Sequence, residues 1–361
     1  MRHLHRRPQA WDSGNHMDLA RQAKSWVKSA TANLLYWTGA LSLLLRRRLK
    51  GGAIVLMYHR VLPAELASRS FSHPGIVVTP ETFARHMDFL KRRFRPLSLD
   101  EFQQHMESGS PFPEGACLVT FDDGWVDNHD HALPILHEHG IPAVVFIATD
   151  YIDADRPFWQ EYLGHLLYQA SSRRLGESAL RTHDIRLPGP DEDSGLRQAV
   201  ADTVDRFRSR SYDEINDLID KLANALASAG PDHAGSAPDK FMTWQQVREL
   251  SDSGFTVASH SCSHRLLARL DQATVGAEFT RSREALKARL GLDTCALAYP
   301  GGSYDARVRQ SAVNAGFRLG FTTNAGTTKV PSDPMLIPRI NIHESATSTI
   351  PMFLSRILGI F

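Results

Sequence analysis

The chain has 361 residues, and 41 Lys and Arg stand against 40 Asp and Glu, so its net charge of +1 excludes a generally basic, nucleic-acid-binding surface. An apolar fraction of 42% with 22% charged residues excludes disordered, collagen-like and low-complexity chains and suits one large α/β domain with appendages. Cys117, Cys262 and Cys295 have no CxxC spacing, which argues against a disulfide framework or a structural cysteine-zinc site and favours a reducing compartment.

Charge is unevenly distributed: residues 1–50 carry +8 and the remainder −7. This segment does not read as a secretory signal, because its longest uncharged run, Ser29 to Leu45, starts late and contains polar residues and a glycine. Seventeen residues is short of the ~20 that a span needs. Apolar residues at 19, 23, 26, 27, 30, 34, 37, 41, 44 and 45 instead repeat at helical spacing. Trp26, Tyr36 and Trp37 suit a membrane interface, and the basic run Arg46 to Lys50 suits anionic headgroups. The expectation is an amphipathic helix over Leu19 to Leu45. It either makes peripheral contact with an anionic membrane or packs on the protein's own main domain. Localisation is expected to be cytoplasmic, or peripheral at the cytoplasmic face of the membrane.

From Gly51 onward strands alternate with helices, which predicts a sheet or barrel of mainly parallel strands. Ala53 to Tyr58 is a buried-strand run ending at His59. Thr79 caps a helix with Pro80 at its first position. Cys117 to Phe121 is a strand ending in Asp122-Asp123-Gly124. His131 to His139 reads as a helix stopped by Gly140, and Ala143 to Ile147 as a strand. Between about Asp150 and Lys240 helical stretches (Phe158 to Gln169, Leu196 to Phe207, Tyr212 to Ala229) are joined by Pro-, Gly- and Asp-rich linkers, the pattern of an inserted helical subdomain. The alternation then resumes with a helix from Trp244, strands at Phe255 to Ala258, Ala296 to Tyr299 and Leu319 to Phe321, helices at Thr274 to Leu290 and Arg307 to Asn314, and a last strand at Ile337 to Ile342. The expected organisation is a basic segment 1–50, a main domain 51–150 and 241–361, and a helical insertion 151–240.

Three strand ends carry polar residues where catalytic sites of parallel α/β folds are built: Asp122-Asp123, His260 with His264, and Tyr299-Pro300-Gly301-Gly302. Asp-Asp-Gly is by itself also a turn and capping sequence, and two histidines in a chain with 17 can be a solvated turn. If the segment turns helically, residues i and i+4 meet on one face, as two ligands of one metal require, and Cys262 points away into packing. Two histidines and one aspartate can hold a divalent metal and leave positions open, while the second aspartate takes a proton from attacking water.

At this point the sequence resembles the polysaccharide deacetylases of carbohydrate esterase family four, the NodB-homology domain, in its exopolysaccharide-type branch. The resemblance runs through Val119 to Gly124 (Val-Thr-Phe-Asp-Asp-Gly), Gly140 to Phe146, Met242 to Leu250, Gly254 to His264 and Ala298 to Gly302 (Ala-Tyr-Pro-Gly-Gly), and thins in the insertion. It implies an α/β fold, a distorted (β/α) barrel carrying the helical insertion and the N-terminal amphipathic helix. It also implies that Asp122 is the general base, that Asp123, His260 and His264 bind one divalent metal, for which the histidines suit zinc, and that Tyr299, Pro300 and Gly301 form the substrate and oxyanion strip, with the Gly301 N–H on the oxyanion.

The sequence departs from the family pattern where many members carry an arginine that orients the base; Ala298 lies near that place. Arg339 is the candidate replacement, against a surface salt bridge. Ile340-Asn-Ile-His343 keeps an aliphatic residue three before a histidine, which makes His343 a candidate acid for the leaving amine. Tyr58-His59 resembles the start of the exopolysaccharide branch, which would bring His59 near base or substrate. The leading expectation is therefore a metal-dependent hydrolase that removes N-acetyl groups from amino sugars of a polysaccharide or glycan. Its rivals are a deacetylase or deformylase of a lipid-linked sugar, favoured by the basic N-terminal segment, and an inactive glycan-binding relative, which Ala298 keeps open. A non-heme iron oxygenase is disfavoured because its usual His-x-Asp pair is missing from these motifs.

Overall fold

In the computed structural model residues 26–189, 193–229 and 239–361 are described. Aliphatic runs make the central strands. β1 (Gly52–Tyr58) is followed by the short β2 (Arg60–Val61), β3 (Val77–Val78) and β4 (Arg95–Pro96), then by β5 (Ala116–Phe121) and β6 (Ala143–Ile147). β7 (Thr256–Ser259), β8 (Ala296–Ala298), β9 (Leu319–Phe321), β10 (Thr328–Lys329) and β11 (Ile340–Asn341) complete the set. β1 and β5 are buried at every residue, as strands with helices on one face and the barrel interior on the other must be. The sheet runs β1-β5-β6-β7-β8-β9 with all neighbours parallel. The segment before and within β11 joins its two edges: Ile337 bridges Phe321 of β9, and Ile340 pairs with Leu56 of β1. The sheet therefore curls into a barrel whose strand C-termini all open at one end.

The expected last strand, Ile337 to Ile342, is thus only partly a strand. Pro338 has no N–H to give a ladder, and the Arg339 N–H bonds to the Asn324 carbonyl instead. Local signals elsewhere hold: Thr79 accepts from the Thr82 N–H at the start of the helix Pro80–Arg93, and Gly140, at φ 64°, ends the helix Leu133–His139. The turn before that helix is a π-helical segment, Asn128–Ala132, which shortens the α-helix expected from His131.

Between β6 and β7 lie the helices Trp159–Ser172, Glu177–Thr182, Asp193–Phe207 and Tyr212–Ser228. They share an apolar cluster of their own, including Leu163, Leu167, Val200, Leu218 and Leu222. At the other end of the chain, the single helix expected over Leu19 to Leu45 is broken. Helix 26–37 stops at Gly39, which sits at φ 76°, and a second helix, Ala40–Arg48, follows. The start of the expected stripe, residues 19–25, lies outside the described residues, as do 190–192 and 230–238. The break splits the stripe. Leu41 and Leu49 enter the main core beside Phe353 and Leu354 of the C-terminal helix Ile350–Ile357, whereas Trp26 and Trp37 are 77% and 82% exposed.

Candidate metal centre

Asp123 leaves β5 in the left-handed region, at φ 78°, a conformation that costs a non-glycine residue on the order of 1–3 kcal/mol. Its Oδ2 accepts a hydrogen bond from Trp125 Nε1 at 2.9 Å, which turns Oδ1 toward two imidazoles. His264 Nε2 lies 3.2 Å and His260 Nε2 3.4 Å from that oxygen. Ligands held 2.0–2.1 Å from a tetrahedral metal lie about 3.3 Å from one another, so these separations fit a shared ion. His260 Nδ1 is 2.8 Å from the Ala298 carbonyl; donation to that oxygen leaves Nε2 with its lone pair for a metal. The carbonyl does this whatever the side chain at 298. Among the described residues, Asp123, His260 and His264 form the cluster whose ligand atoms come within 4.8 Å of one another.

The two histidines do not meet through a helical turn, as their spacing suggested. The segment after β7 is a bend with Ser261 at φ 61° and His264 at φ 54°, which returns the second imidazole to the first. Glu278 holds the bend by accepting from the Cys262 and Ser263 N–H groups, both at 2.9 Å. Cys262 is buried and packs as expected. Phe158 stacks on the His264 ring, with centroids 4.1 Å apart.

Asp122 is turned elsewhere. Arg339 Nη1 and Nη2 donate to its two oxygens at 2.6 and 2.7 Å, and Arg339 Nε donates to the Thr322 carbonyl at 2.9 Å. Both partners are buried. Burial acts to raise the Asp122 carboxyl, but the Arg339 and His260 charges and the Arg339 hydrogen bonds outweigh it and hold it below its ordinary value. His59 Nε2 is 3.9 Å from Asp122 Oδ2, and its Nδ1 has no hydrogen-bond partner. Burial depresses the His59 imidazole more than the nearby Asp123 and Asp122 charges raise it, so it favours the neutral form.

These groups line a cavity of about 280 Å³ together with Trp125, Phe158, Gly301 and, from the insertion, Gln160, Glu161, Asp205 and Arg208. Residues 109–320 match the family described as Polysaccharide deacetylase. The chain belongs to that family. One relative, the poly-beta-1,6-N-acetyl-D-glucosamine N-deacetylase of Staphylococcus epidermidis, is 32% identical over 111 residues, which are 28% of this chain and 38% of that protein's length. Two solved structures share the fold. The Streptococcus pyogenes deacetylase PplD in complex with acetate has a TM-score of 0.54 at 19% identity, over 85% of this chain and 98% of that one. IcaB from Ammonifex degensii has a TM-score of 0.53 at 19% identity, over 84% and 97%. The α/β barrel expected from the resemblance is therefore the fold of this deacetylase family member.

Of the residues singled out in the sequence, Asp122, Asp123, His59, His260, His264 and Gly301 meet at the cavity, with Arg339 directly behind Asp122. In the third motif Gly301 alone lines the cavity. The Gly302 and Ser303 N–H groups are bonded back to the Tyr299 and Pro300 carbonyls. Tyr299 and Pro300 are buried, the former in a cluster with Phe279 and Phe317, so their side chains shape the turn rather than the cavity wall. His343 is not brought to the cavity: its Nδ1 meets Ser345 Oγ at 2.9 Å, at the start of the short helix Glu344–Thr347. Sequence reasoning missed Trp125, although it stands two residues after Asp123, and Phe158, which lies where the resemblance thins.

Proposed function

We propose that this polysaccharide deacetylase family member is a metal-dependent hydrolase that removes N-acetyl groups from amino-sugar units of an exopolysaccharide. The observation that carries this reading is the division of labour between adjacent carboxylates: Asp123 faces His260 and His264, while Asp122 is clamped by Arg339 beside the same cavity. Asp123, His260 and His264 would hold a divalent metal, for which the nitrogen-rich donor set favours zinc, and it would supply Lewis acidity to the reaction.

The chain's own residues do the rest. Asp122, kept ionised by Arg339, accepts the proton as water adds to the carbonyl carbon. The Gly301 N–H is the donor for the oxygen on which charge develops, and glycine leaves that approach clear. As the carbon–nitrogen bond breaks, the proton goes to the leaving nitrogen. Of the two candidate histidines, His59 and His343, His59 lines the cavity and lies beside Asp122, and it takes the relay role in this scheme in place of His343. The cation at Asp122 also answers the departure at Ala298 that favoured an inactive, glycan-binding relative.

The test is acetate release from β-1,6-linked N-acetylglucosamine oligomers, with and without chelator. Asp122→Asn should retain the metal and lose activity by about 10²- to 10⁴-fold, since it removes a proton acceptor and no ligand. Alanine at Asp123, His260 or His264 should instead strip the metal. Chelator-insensitive turnover, or near-normal activity in Asp122→Asn, rejects the scheme. We further propose that the enzyme works at an anionic membrane surface, on the cytoplasmic side, docked through its N-terminal helices.

A further inference from the structure

The cavity at the metal centre is not isolated. Phe158, Gln160 and His264 line it and also line a second cavity of about 360 Å³. Tyr151, Trp159, Asn216 and Ser263 line that second cavity and also a third, of about 670 Å³. The three adjoin one another along the insertion, each sharing lining residues with the next. The far wall is one face of the helix Tyr212–Ser228: Tyr212, Asn216, Ile219 and Asp220 recur at helical spacing along the second and third cavities. The opposite face of that helix, with Leu218 and Leu222, packs in the insertion's own core. Arg265, next to the ligand His264, lies over the Tyr212 ring at 4.9 Å and ties this wall to the metal-binding bend.

The geometry points to an extended glycan-binding groove in which Trp159, Tyr212 and Asn216 hold sugar units beyond the one that is deacetylated. The chemistry is that of carbohydrate recognition. Half-buried Tyr151, Trp159 and Tyr212 rings offer apolar surfaces to the C–H faces of pyranose rings, while Asn216 and the exposed carboxylates of Asp213 and Asp220 offer hydrogen bonds to hydroxyl and amide groups. The assignment rests on the deacetylase reading for the identity of the sugar, and it makes the substrate a chain of several units rather than a single amino sugar.

Affinity is measured on the full-length protein by equilibrium titration with EDTA present, so that metal-dependent turnover does not consume the ligand. The probes are β-1,6- and β-1,4-linked N-acetylglucosamine oligomers from dimer to hexamer. In at least one series the hexamer should bind about tenfold more tightly than the dimer, the size of one or two stacking or polar contacts. Tyr212→Ala and the exposed-site Asn216→Ala should each remove most of that gain, while Tyr212→Phe, which keeps the ring, should stay within about twofold of wild type. Length-independent affinity, no binding of any oligomer, or hexamer affinity unmoved by both alanine variants overturns the groove. Acetate release is followed in parallel with metal present. Release without length-dependent binding overturns the groove and leaves the deacetylase standing. Length-dependent binding without release upholds the groove and overturns the deacetylase.

Discussion

Asp122 and Asp123 are chemically identical and adjacent, and their surroundings give them different work. Asp123 receives an indole N–H on one oxygen and faces two imidazoles with the other; Asp122 is gripped on both oxygens by a guanidinium, which favours its ionised form. A third carboxyl in the same cavity behaves oppositely. Glu161 is buried, its Oε1 accepts from Ser72 Oγ at 3.0 Å, and its Oε2 has no partner. Burial first, and the Asp239 charge second, push it up to about 8 from its ordinary value of 4.5. Below 4.5 the folded and unfolded states both carry the proton and its contribution to stability is fully present; between 4.5 and 8 only the folded state keeps it, so stability falls as pH rises through that window. Glu161→Gln, neutral at every pH, should flatten the decline. Urea unfolding midpoints of wild type and variant from pH 4.5 to 8.5 check this, and parallel profiles would remove Glu161 as the cause.

At the scale of elements, the loop after β5 is held by an indole that makes three contacts. Trp125 donates to Asp123, stacks on Phe241 with centroids 4.3 Å apart, and lies under the buried Arg60 guanidinium at 4.2 Å. Trp125→Phe keeps the ring and loses the N–H, so metal affinity should fall about 10- to 100-fold with little loss of stability, the usual cost of removing an outer-shell partner. Competition against a chromophoric chelator measures it; unchanged affinity would mean that Asp123 is oriented by other contacts. Much of the barrel was legible in the sequence, because runs such as Ala53 to Tyr58 and Ala143 to Ile147 are buried on both faces and need no partner to be recognised. The Thr79-Pro80 cap and the Gly140 stop were equally local. Contacts over long separations were harder to read. Arg339 and Asp122 are 217 residues apart, and only the missing cation at Ala298 pointed to a replacement. The His260–His264 pairing was foreseen with the wrong backbone, since spacing specifies which residues meet and says nothing of left-handed turns at Ser261 and His264. Phe158 reaches the cavity only because the insertion lies over the strand ends, which its sequence does not signal.

For the whole molecule, the two ends of the barrel present different surfaces. The candidate catalytic groups sit at the C-terminal ends of the strands, whereas the helix Ala40–Arg48 leads directly into the start of β1, at the opposite end. Seven residues of β1 place those ends roughly 20 Å apart at the usual rise per residue. Among the described residues, six of the eight large apolar side chains that are more than a third exposed lie in this N-terminal region: Trp26, Val27, Leu34, Trp37, Leu43 and Leu44. Arg46, Arg47 and Lys50 are exposed beside them. No described helix is long and apolar enough to cross a membrane. The contact we propose is insertion of this exposed apolar face into the headgroup layer. Such a posture turns the metal centre away from the bilayer, toward a polymer in solution, and disfavours the rival substrate, a short sugar still attached to its lipid. Deleting residues 1–50 is a poor test, because Leu41 and Leu49 belong to the main core. Trp26, Leu34 and Trp37 changed together to Ser are the better variant: binding to vesicles containing anionic phosphatidylserine should be lost, while acetate release from soluble oligomers stays near wild type. Each basic residue at the surface contributes roughly 1 kcal/mol within a Debye length, so salt should weaken wild-type binding and leave the part due to apolar insertion. Wild-type protein that ignores these vesicles at low salt, or a triple variant that still binds them as tightly, would leave the exposed tryptophans without a membrane role.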